Sequence, residues 1–265
     1  MSRKTATTLL LLVTAGVIVA IFLTPRIPQP QSYHHFADQR PWLGIPRFGD
    51  VISNLPFAVV GVWGLAFLWR APAERYFVDP RERWPYYFAF LGLLLTAFGS
   101  SYYHLAPDNA RLVWDRLPMT AVFMSLVAAV IAERISVPTG LRLLPVLLVI
   151  GIVSVVEWDL SELHGSGDLR FYAAVQIYAG VVLLLILIFP PRYTRSSDLL
   201  VVVGFYALAK ILETFDRPIF TFLHVVSGHT LKHLAGALAG YGILRMLQKR
   251  KPVPKLGRLA LPNLS

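Results

Sequence analysis

Two histidines near the C-terminal end of this sequence have the spacing that metal chemistry needs. His229 and His233 lie four residues apart in the run GHTLKHL, so they share one face of a predicted helix. Imidazole is a common zinc ligand, and a catalytic zinc site keeps three protein ligands and a water. The pair therefore predicts a metal site that needs one further ligand from elsewhere in the chain.

A second polar group supplies that ligand together with candidate catalytic residues. His104 closes an apolar segment in the run GSSYYHL, Ser100 precedes it by four residues, and Asp115 opens the next apolar segment. A carboxylate can accept a proton from an activated water, and a hydroxyl can hydrogen-bond that water or the developing oxyanion. We therefore predict metal ligands at His104, His229 and His233, with Asp115 and Ser100 as catalytic residues.

The composition indicates which elements must position these groups. Of the 265 residues, 55% are hydrophobic and only 15% are charged, against roughly 25% charged residues in an ordinary soluble domain. The mean hydropathy is +0.58, which excludes a soluble globular domain and a disordered chain. The sequence contains no Cys, which excludes disulfides, thiolate ligands and a thiol nucleophile. We predict an all-α polytopic membrane protein.

Eight apolar segments approach the length of about 20 residues that a transmembrane helix needs. They cover residues 8–24, 51–70, 86–106, 112–134, 141–158, 170–190, 198–216 and 228–247. We predict a seven-helix core with one additional N-terminal helix. The expected organisation is an uncleaved signal-anchor at 1–24, an outer-face loop at 25–50, a seven-helix core that carries the candidate site at 51–247 and a basic cytoplasmic tail at 248–265.

The Lys and Arg residues set the expected orientation. With the N-terminus inside, the inner segments hold 16 of them and the outer segments hold 7, which predicts that both termini are cytoplasmic. The net charge of +10 is then a topology signal, and we expect no nucleic-acid partner and assign no protein partner. The compact loops and the lack of Cys favour a bacterial inner membrane.

This topology places all three polar groups at the outer ends of their spans, at one depth. Each group has a separate explanation as well. A membrane histidine can be a packing residue, Ser100 can bond to its own helix, and Asp115 can cap its helix or pair with Arg116. One site facing outwards explains all three groups together.

The order of these motifs resembles the alkaline ceramidase family. The pattern is S-x3-H, then an Asp eleven residues on, then H-x3-H on the last helix. The stretch FGDVISN at 48–54 is similar to the segment that opens the first core helix of that family, and residues 236–241 are similar to its last helix. The resemblance covers about residues 38–247 and extends to the superfamily that includes the adiponectin and progestin receptors.

The resemblance implies a function for these residues. It implies one catalytic zinc ion on His104, His229 and His233, with Asp115 and Ser100 around the activated water. It implies a zinc-dependent amidohydrolase whose substrate is a membrane lipid such as ceramide. The expected orientation of the seven-helix core also matches the ceramidases and is the reverse of that of the receptors.

Two features depart from the family or extend it. Ceramidases carry an acidic calcium site before the first core helix, where this chain offers Asp38 and Asp50 but has Arg47 in place of an expected acidic ligand. A calcium ion is therefore weakly supported. In the seventh span, a second polar set with a spacing of three predicts either a self-neutralising salt-bridge ladder or a polar wall of the substrate cavity. This set consists of Lys210, Glu213 and Asp216.

Three other functions remain open from the sequence. An ester-cleaving lipid hydrolase would use the same chemistry on the same scaffold. A b-type haem protein would place His104 opposite His229 or His233, and would have no need of Asp115. A receptor without turnover would have the reversed topology, so a cytoplasmic reporter at the C-terminus would favour the enzyme.

Overall fold

The computed structural model describes residues 3–253, and the regular secondary structure of this part of the chain is helical, without a β-strand. Short 3-10 helices at Gln31–His34 and Pro80–Glu82 accompany the α-helices. The α-helices are α1 (Arg3–Leu23), α2 (Phe48–Ile52), α3 (Leu55–Arg70), α4 (Ala73–Tyr76), α5 (Arg83–Leu105), α6 (Asn109–Arg134), α7 (Val137–Leu163), α8 (Arg170–Ile186), α9 (Asp198–Thr214), α10 (Asp216–Leu223) and α11 (Gly228–Lys249). Most of the predicted tail, residues 254–265, lies outside the described residues.

Within residues 3–253, five helical segments are long and apolar enough to cross a membrane. They are Lys4–Leu23, Phe48–Arg70, Pro80–Leu105, Asn109–Arg134 and Val137–Leu163. Large apolar side chains stand exposed on their surfaces, as expected where lipid is the solvent; examples are Trp69, Phe98 and Val149. The structure therefore supports the prediction of an all-α membrane protein.

The three remaining predicted spans are shorter or more polar. Helices α8 and α9 each have 17 residues, which is below the usual length of a spanning helix. Helix α11 has 22 residues but carries His229, Lys232 and His233 in its first two turns. The same polar residues that form the candidate site lower the hydropathy of this helix. The count of seven core spans plus one therefore stays a prediction.

Helix α6 is the centre of the bundle. It is buried over most of its length and packs against α5, α7 and α8, while α3 packs on α5 and α11 packs on α9 and α3. The end of α5, the start of α6 and the start of α11 consequently meet at one end of the bundle, which we call the outer end. The additional helix α1 packs on the periphery against α8, where the hydroxyls of Thr14 and Tyr178 are 3.1 Å apart.

A buried polar network closes the opposite, inner end. The Arg250 side chain lies 4.0 Å above the ring of Tyr193 and 3.3 Å from a carboxylate oxygen of Glu133. The Tyr193 hydroxyl donates to Glu82 at 3.0 Å. Charges at this depth are stable only when they are paired, so the network ties the end of α11 to α5 and α6.

Gly99 sets the closest approach of α5 to α6 beside the candidate site. A Cβ atom at this position would lie 2.0 Å from the carbonyl oxygen of Trp114 on α6. We expect Gly99→Ala to force the two helices apart and to destabilise the protein by about 1–3 kcal/mol, the usual cost of overpacking. The measurement is thermal unfolding of the purified protein in detergent.

Gly204 on α9 provides the matched control, because a Cβ atom there meets nothing within 4 Å. Gly204→Ala should leave the unfolding temperature unchanged or raise it slightly, since Ala favours a helix over Gly. Equal unfolding temperatures for Gly99→Ala and Gly204→Ala would show that α5 and α6 do not depend on this contact.

Candidate metal centre

Three histidines from two helices converge at the outer end of the bundle. His104 ends α5, and His229 and His233 lie in the first two turns of α11; all three side chains are buried. Each offers one ring nitrogen, and these nitrogens lie within 4.8 Å of one another. The Nε2 atoms of His104 and His229 are 3.2 Å apart. Among the His, Asp and Glu side chains of residues 3–253, these three histidines form the one group whose geometry could hold a metal ion.

Arg47 fixes the last turn of α5, which carries His104. Its Nε donates to the carbonyl of His104 and its NH2 to the carbonyl of Leu105, both at 2.7 Å. The last carbonyls of a helix have no intrahelical partner, and a cationic donor there is favoured. Arg47 thus supports the helix that presents the first histidine.

The start of α11 is held by two acceptors. The Ser227 hydroxyl accepts from the Thr230 backbone N–H at 3.0 Å and caps the helix. The Asp216 carboxylate accepts from the His229 backbone N–H at 2.8 Å and from the Ala37 N–H at 2.9 Å. Asp216 therefore positions a ligand-bearing turn and joins it to the outer loop.

Lys210, Glu213 and Asp216 were predicted to share one helix face, but Asp216 does not lie on the same helix as the other two. Helix α9 ends at Thr214, because Phe215 leaves the helical conformation, and Asp216 begins α10. Asp216 is therefore separated from the other two by a change of helix, which the spacing alone did not reveal.

Two residues that sequence reasoning missed surround the histidines. Phe36, from the outer loop, packs its ring 4.6 Å from that of His104 and 4.5 Å from that of His229. Ser53 donates to the Asp50 carbonyl at 3.1 Å and lies 2.7 Å from Nδ1 of His233. With its own proton committed, Ser53 accepts from Nδ1–H and leaves Nε2 of His233 free as a ligand.

Ser100 and Asp115 lie together beside the trio. Both are buried, at 1% and 6% exposure, and the Ser100 hydroxyl interacts with the carboxyl group of Asp115. Both line a cavity that His233 also lines. The structure thus brings all five predicted site residues to one end of the bundle, although α5, α6 and α11 are far apart in the sequence.

The polar wall predicted in α9 exists, with an additional member from α11. Glu213 pairs with Lys210 and accepts from the Lys232 ammonium at 2.6 Å, and the Lys232 nitrogen is 3.5 Å from Nε2 of His229. The Tyr33 hydroxyl donates to Glu213 at 3.1 Å. Burial and the nearby Glu213 carboxylate raise the pKa of Tyr33, which keeps this outer-loop phenol a donor. The wall is therefore both a salt-bridge cluster and part of the cavity.

The cavity below the histidines has a volume of about 310 Å³, at the lower end of the range for small-molecule sites. Its outer end is polar and holds Ser100, Asp115 and His233. Its deeper part is apolar, and its walls come from α5, α6, α8, α9 and α11. The apolar residues include Leu93, Val122, Leu126, Leu183, Val202 and Ile243. This arrangement fits a molecule with a polar group and a hydrocarbon chain.

The two candidate calcium ligands each contact other groups of the protein. Asp38 pairs with Arg40 at 2.7 Å; burial raises the pKa of Asp38, but the hydrogen bonds and charge of Arg40 outweigh this and lower it. Asp50 is fully buried and accepts from the Thr230 hydroxyl at 2.9 Å. Calcium binding by these carboxylates stays a prediction from the resemblance.

Comparisons with known proteins do not identify a family for this chain. The sequence matches no model of a known protein family, and a search of curated proteins finds no match. The function therefore has to be argued from the residues and their arrangement.

Proposed function

We propose that this protein is a zinc-dependent lipid hydrolase of the membrane that cleaves the amide bond of a ceramide-like N-acyl lipid. The observation that carries the proposal is a buried histidine trio, one member of which, His233, lines an apolar cavity together with Ser100 and Asp115. The resemblance to the alkaline ceramidases points to the same chemistry. The proposal includes a seven-helix core with an additional helix, cytoplasmic termini and an outward-facing site in a bacterial inner membrane.

The donor set and its spacing fit zinc. Two nitrogens that each lie about 2.0–2.1 Å from one tetrahedral zinc ion are about 3.3 Å apart, and the Nε2 atoms of His104 and His229 are 3.2 Å apart. Three neutral imidazoles are a common ligand set for catalytic zinc. Ser53 orients His233 as an outer-shell residue does in such sites.

His104, His229 and His233 would hold the ion. When bound, zinc lowers the pKa of a water toward about 7 and polarises a carbonyl oxygen. Asp115 is placed to accept a proton from water and to return it to the leaving nitrogen. Ser100 orients Asp115 and can donate to the oxyanion that develops on the carbonyl. A C–O bond forms, the C–N bond breaks, and the products are a fatty acid and an amine.

Ester cleavage uses the same residues and is the nearest alternative. The trio does not fit the third possibility, a b-type haem, in which two histidines lie on opposite faces of a porphyrin. Here the three imidazole rings converge, with centroids 4.8–5.0 Å apart, and leave no slot for a macrocycle between two of them.

The test combines metal analysis with a substrate screen. We expect the protein purified in detergent to hold about one zinc ion per chain and to release fatty acid from an N-acyl sphingoid lipid faster than from the matched O-acyl lipid. A zinc chelator should stop the release, and added zinc should restore it.

Three results would contradict all or part of the proposal. Full activity in chelated, zinc-free protein would remove the metal from the reaction. Zinc-loaded, folded protein that releases no fatty acid from any N-acyl or O-acyl lipid would remove hydrolysis and favour a non-enzymatic role. Faster release from the ester than from the amide would replace the amidohydrolase with an esterase on the same site.

A further inference from the structure

Arg116 is a buried cation without an acidic partner. The residue is 4% exposed, and its NH2 donates to the side-chain oxygen of Gln29 at 2.6 Å. Its guanidinium carbon lies 4.1 Å from the ring centre of Trp158 and 4.5 Å from that of Tyr172. The sequence allowed a pair with Asp115, but no carboxylate of residues 3–253 forms an ion pair with Arg116.

The inner end of the bundle offers a direct comparison within the same molecule. Arg250 is also buried among aromatic rings, those of Phe77, Tyr86 and Tyr193. Unlike Arg116, it has a carboxylate partner in Glu133 at 3.3 Å. Of the two arginines buried among aromatic rings, Arg250 is paired with a carboxylate, whereas Arg116 is not.

Arg116 lines the cavity, whereas Arg250 does not. The NH1 nitrogen of Arg116 is buried and has no hydrogen-bond partner in the described part of the chain. A buried, unpaired charge is costly, and the cost falls when an anion pairs with it. Arg116 therefore borders the cavity with a charge that no ion pair neutralises and with one donor that has no partner.

No carboxylate that lines the cavity forms an ion pair with Arg116 in the described part of the chain. Glu213 is shared between Lys210 and Lys232. Asp115 interacts electrostatically with Arg116, but also with Lys232 and Ser100, so its charge is divided among several groups. The Lys, Arg, Asp and Glu side chains that line the cavity are three cations and two carboxylates, so their formal sum is positive. A divalent metal ion bound to the histidines would increase this positive charge further.

We propose that Arg116 binds an anionic oxygen group, a carboxylate or a phosphate, on the lipid that enters this cavity. The inference rests on the proposed hydrolase and narrows its substrate to an acyl lipid with an anion close to the scissile bond. Asp115 and Arg116 are consecutive on α6 and both line the cavity, so the anion and the reacting carbonyl would be neighbours. Guanidinium is suited to this task because its planar donors match carboxylate and phosphate oxygens.

The test uses three probes with one hexadecanoyl chain. N-hexadecanoyl glycine carries a carboxylate, N-hexadecanoyl ethanolamine is a near-isosteric neutral amide, and the O-phosphate of the latter carries a phosphate. Binding to the purified protein is measured by titration in neutral detergent, before and after removal of metal by chelation. We expect at least one of the two anionic probes to bind about 10-fold or more tightly than the neutral probe, as a charged hydrogen bond predicts.

Substitutions at Arg116 identify the responsible group. Arg116→Gln should abolish the preference for the anion and leave binding of the neutral probe unchanged, while Arg116→Lys should keep part of it. Arg142→Gln is the control, because Arg142 is exposed at the inner end of α7 and should keep the full preference. Which of the two anionic probes gains more decides between carboxylate and phosphate.

Equal binding of neutral and anionic probes by the unmodified protein would overturn the inference without need of any variant. Equal loss of all three probes in folded Arg116→Gln would also overturn it and would make Arg116 a packing residue. Hydrolysis of the neutral lipid without any preference for an anionic lipid would contradict the role of Arg116 but leave the proposed hydrolase standing. A preference for the anion in zinc-loaded protein that hydrolyses none of the probes would leave it standing and count against the proposed hydrolase.

Discussion

His229→Ala and His233→Ala are each expected to lose the metal ion and, with it, the activity. Either change leaves two imidazoles where three buried rings meet, and two neutral ligands cannot hold a catalytic zinc ion tightly. Without the ion, the pKa of the attacking water returns from about 7 toward about 15.7, so fatty-acid release should fall by at least about 10³-fold. Zinc per chain and fatty-acid release are measured on the same preparations.

A graded series of variants separates ligands from supporting residues. Ser53→Ala removes the hydrogen bond to Nδ1 of His233 and should weaken zinc affinity about 10–100-fold, as loss of an outer-shell partner does. His164→Ala should change nothing, because His164 is exposed beyond α7 and bonds only to the Leu160 carbonyl. Full zinc occupancy in both purified His229→Ala and His233→Ala would reject the metal centre.

Asp115→Asn is expected to keep zinc and lose turnover. The amide has nearly the shape of the carboxylate, so the contact with Ser100 and the packing of α6 persist, but it cannot accept a proton. Loss of a general base typically costs about 10²–10⁴-fold, and the loss should be in kcat while zinc content and KM change little. Steady-state kinetics with metal analysis is the measurement.

Asp198→Asn is the matched control for this change. Asp198 lies at the start of α9, at the inner end, and pairs on the surface with Arg195. An exposed ion pair of this kind contributes little, so turnover should be unaltered. If Asp115→Asn turned over at the normal rate, Asp115 would have no part in proton transfer, and Ser100 or Glu213 would have to be considered instead.

The meeting of the predicted site residues at one end of the bundle could be predicted because successive membrane spans run in opposite directions. Alternating spans carry the end of α5, the start of α6 and the start of α11 to the same end of a bundle, so the sequence alone could bring His104, Asp115 and His229 together. The structure places them there and begins α11 at Gly228, the first residue of the predicted span. Amphipathic spacing of four then accounts for His233 on the same face.

The unpredicted part comes from segments without periodicity. Phe36 lies in a loop where no spacing rule applies, yet it packs against two of the three histidines. Ser53 lies at the short break between α2 and α3, and its role depends on how that break faces α11. The sequence offered Arg116 as a partner of Asp115, whereas the structure buries it among aromatic rings. Long-range packing, which no local pattern encodes, decides all three.

The polar network at the inner end also determines where another protein can be joined to this chain. Arg250 follows the last residue of α11 and is 2% exposed, and the next residues pair with the segment before α9 through Thr194 N–H to the Lys251 carbonyl and Val253 N–H to the Arg192 carbonyl, each at 2.8 Å. A fluorescent protein or affinity tag joined directly to α11 would replace this buried arginine and the short pairing beyond it. A junction placed after Val253 keeps both, so the natural boundary for a fusion lies beyond the end of the helix.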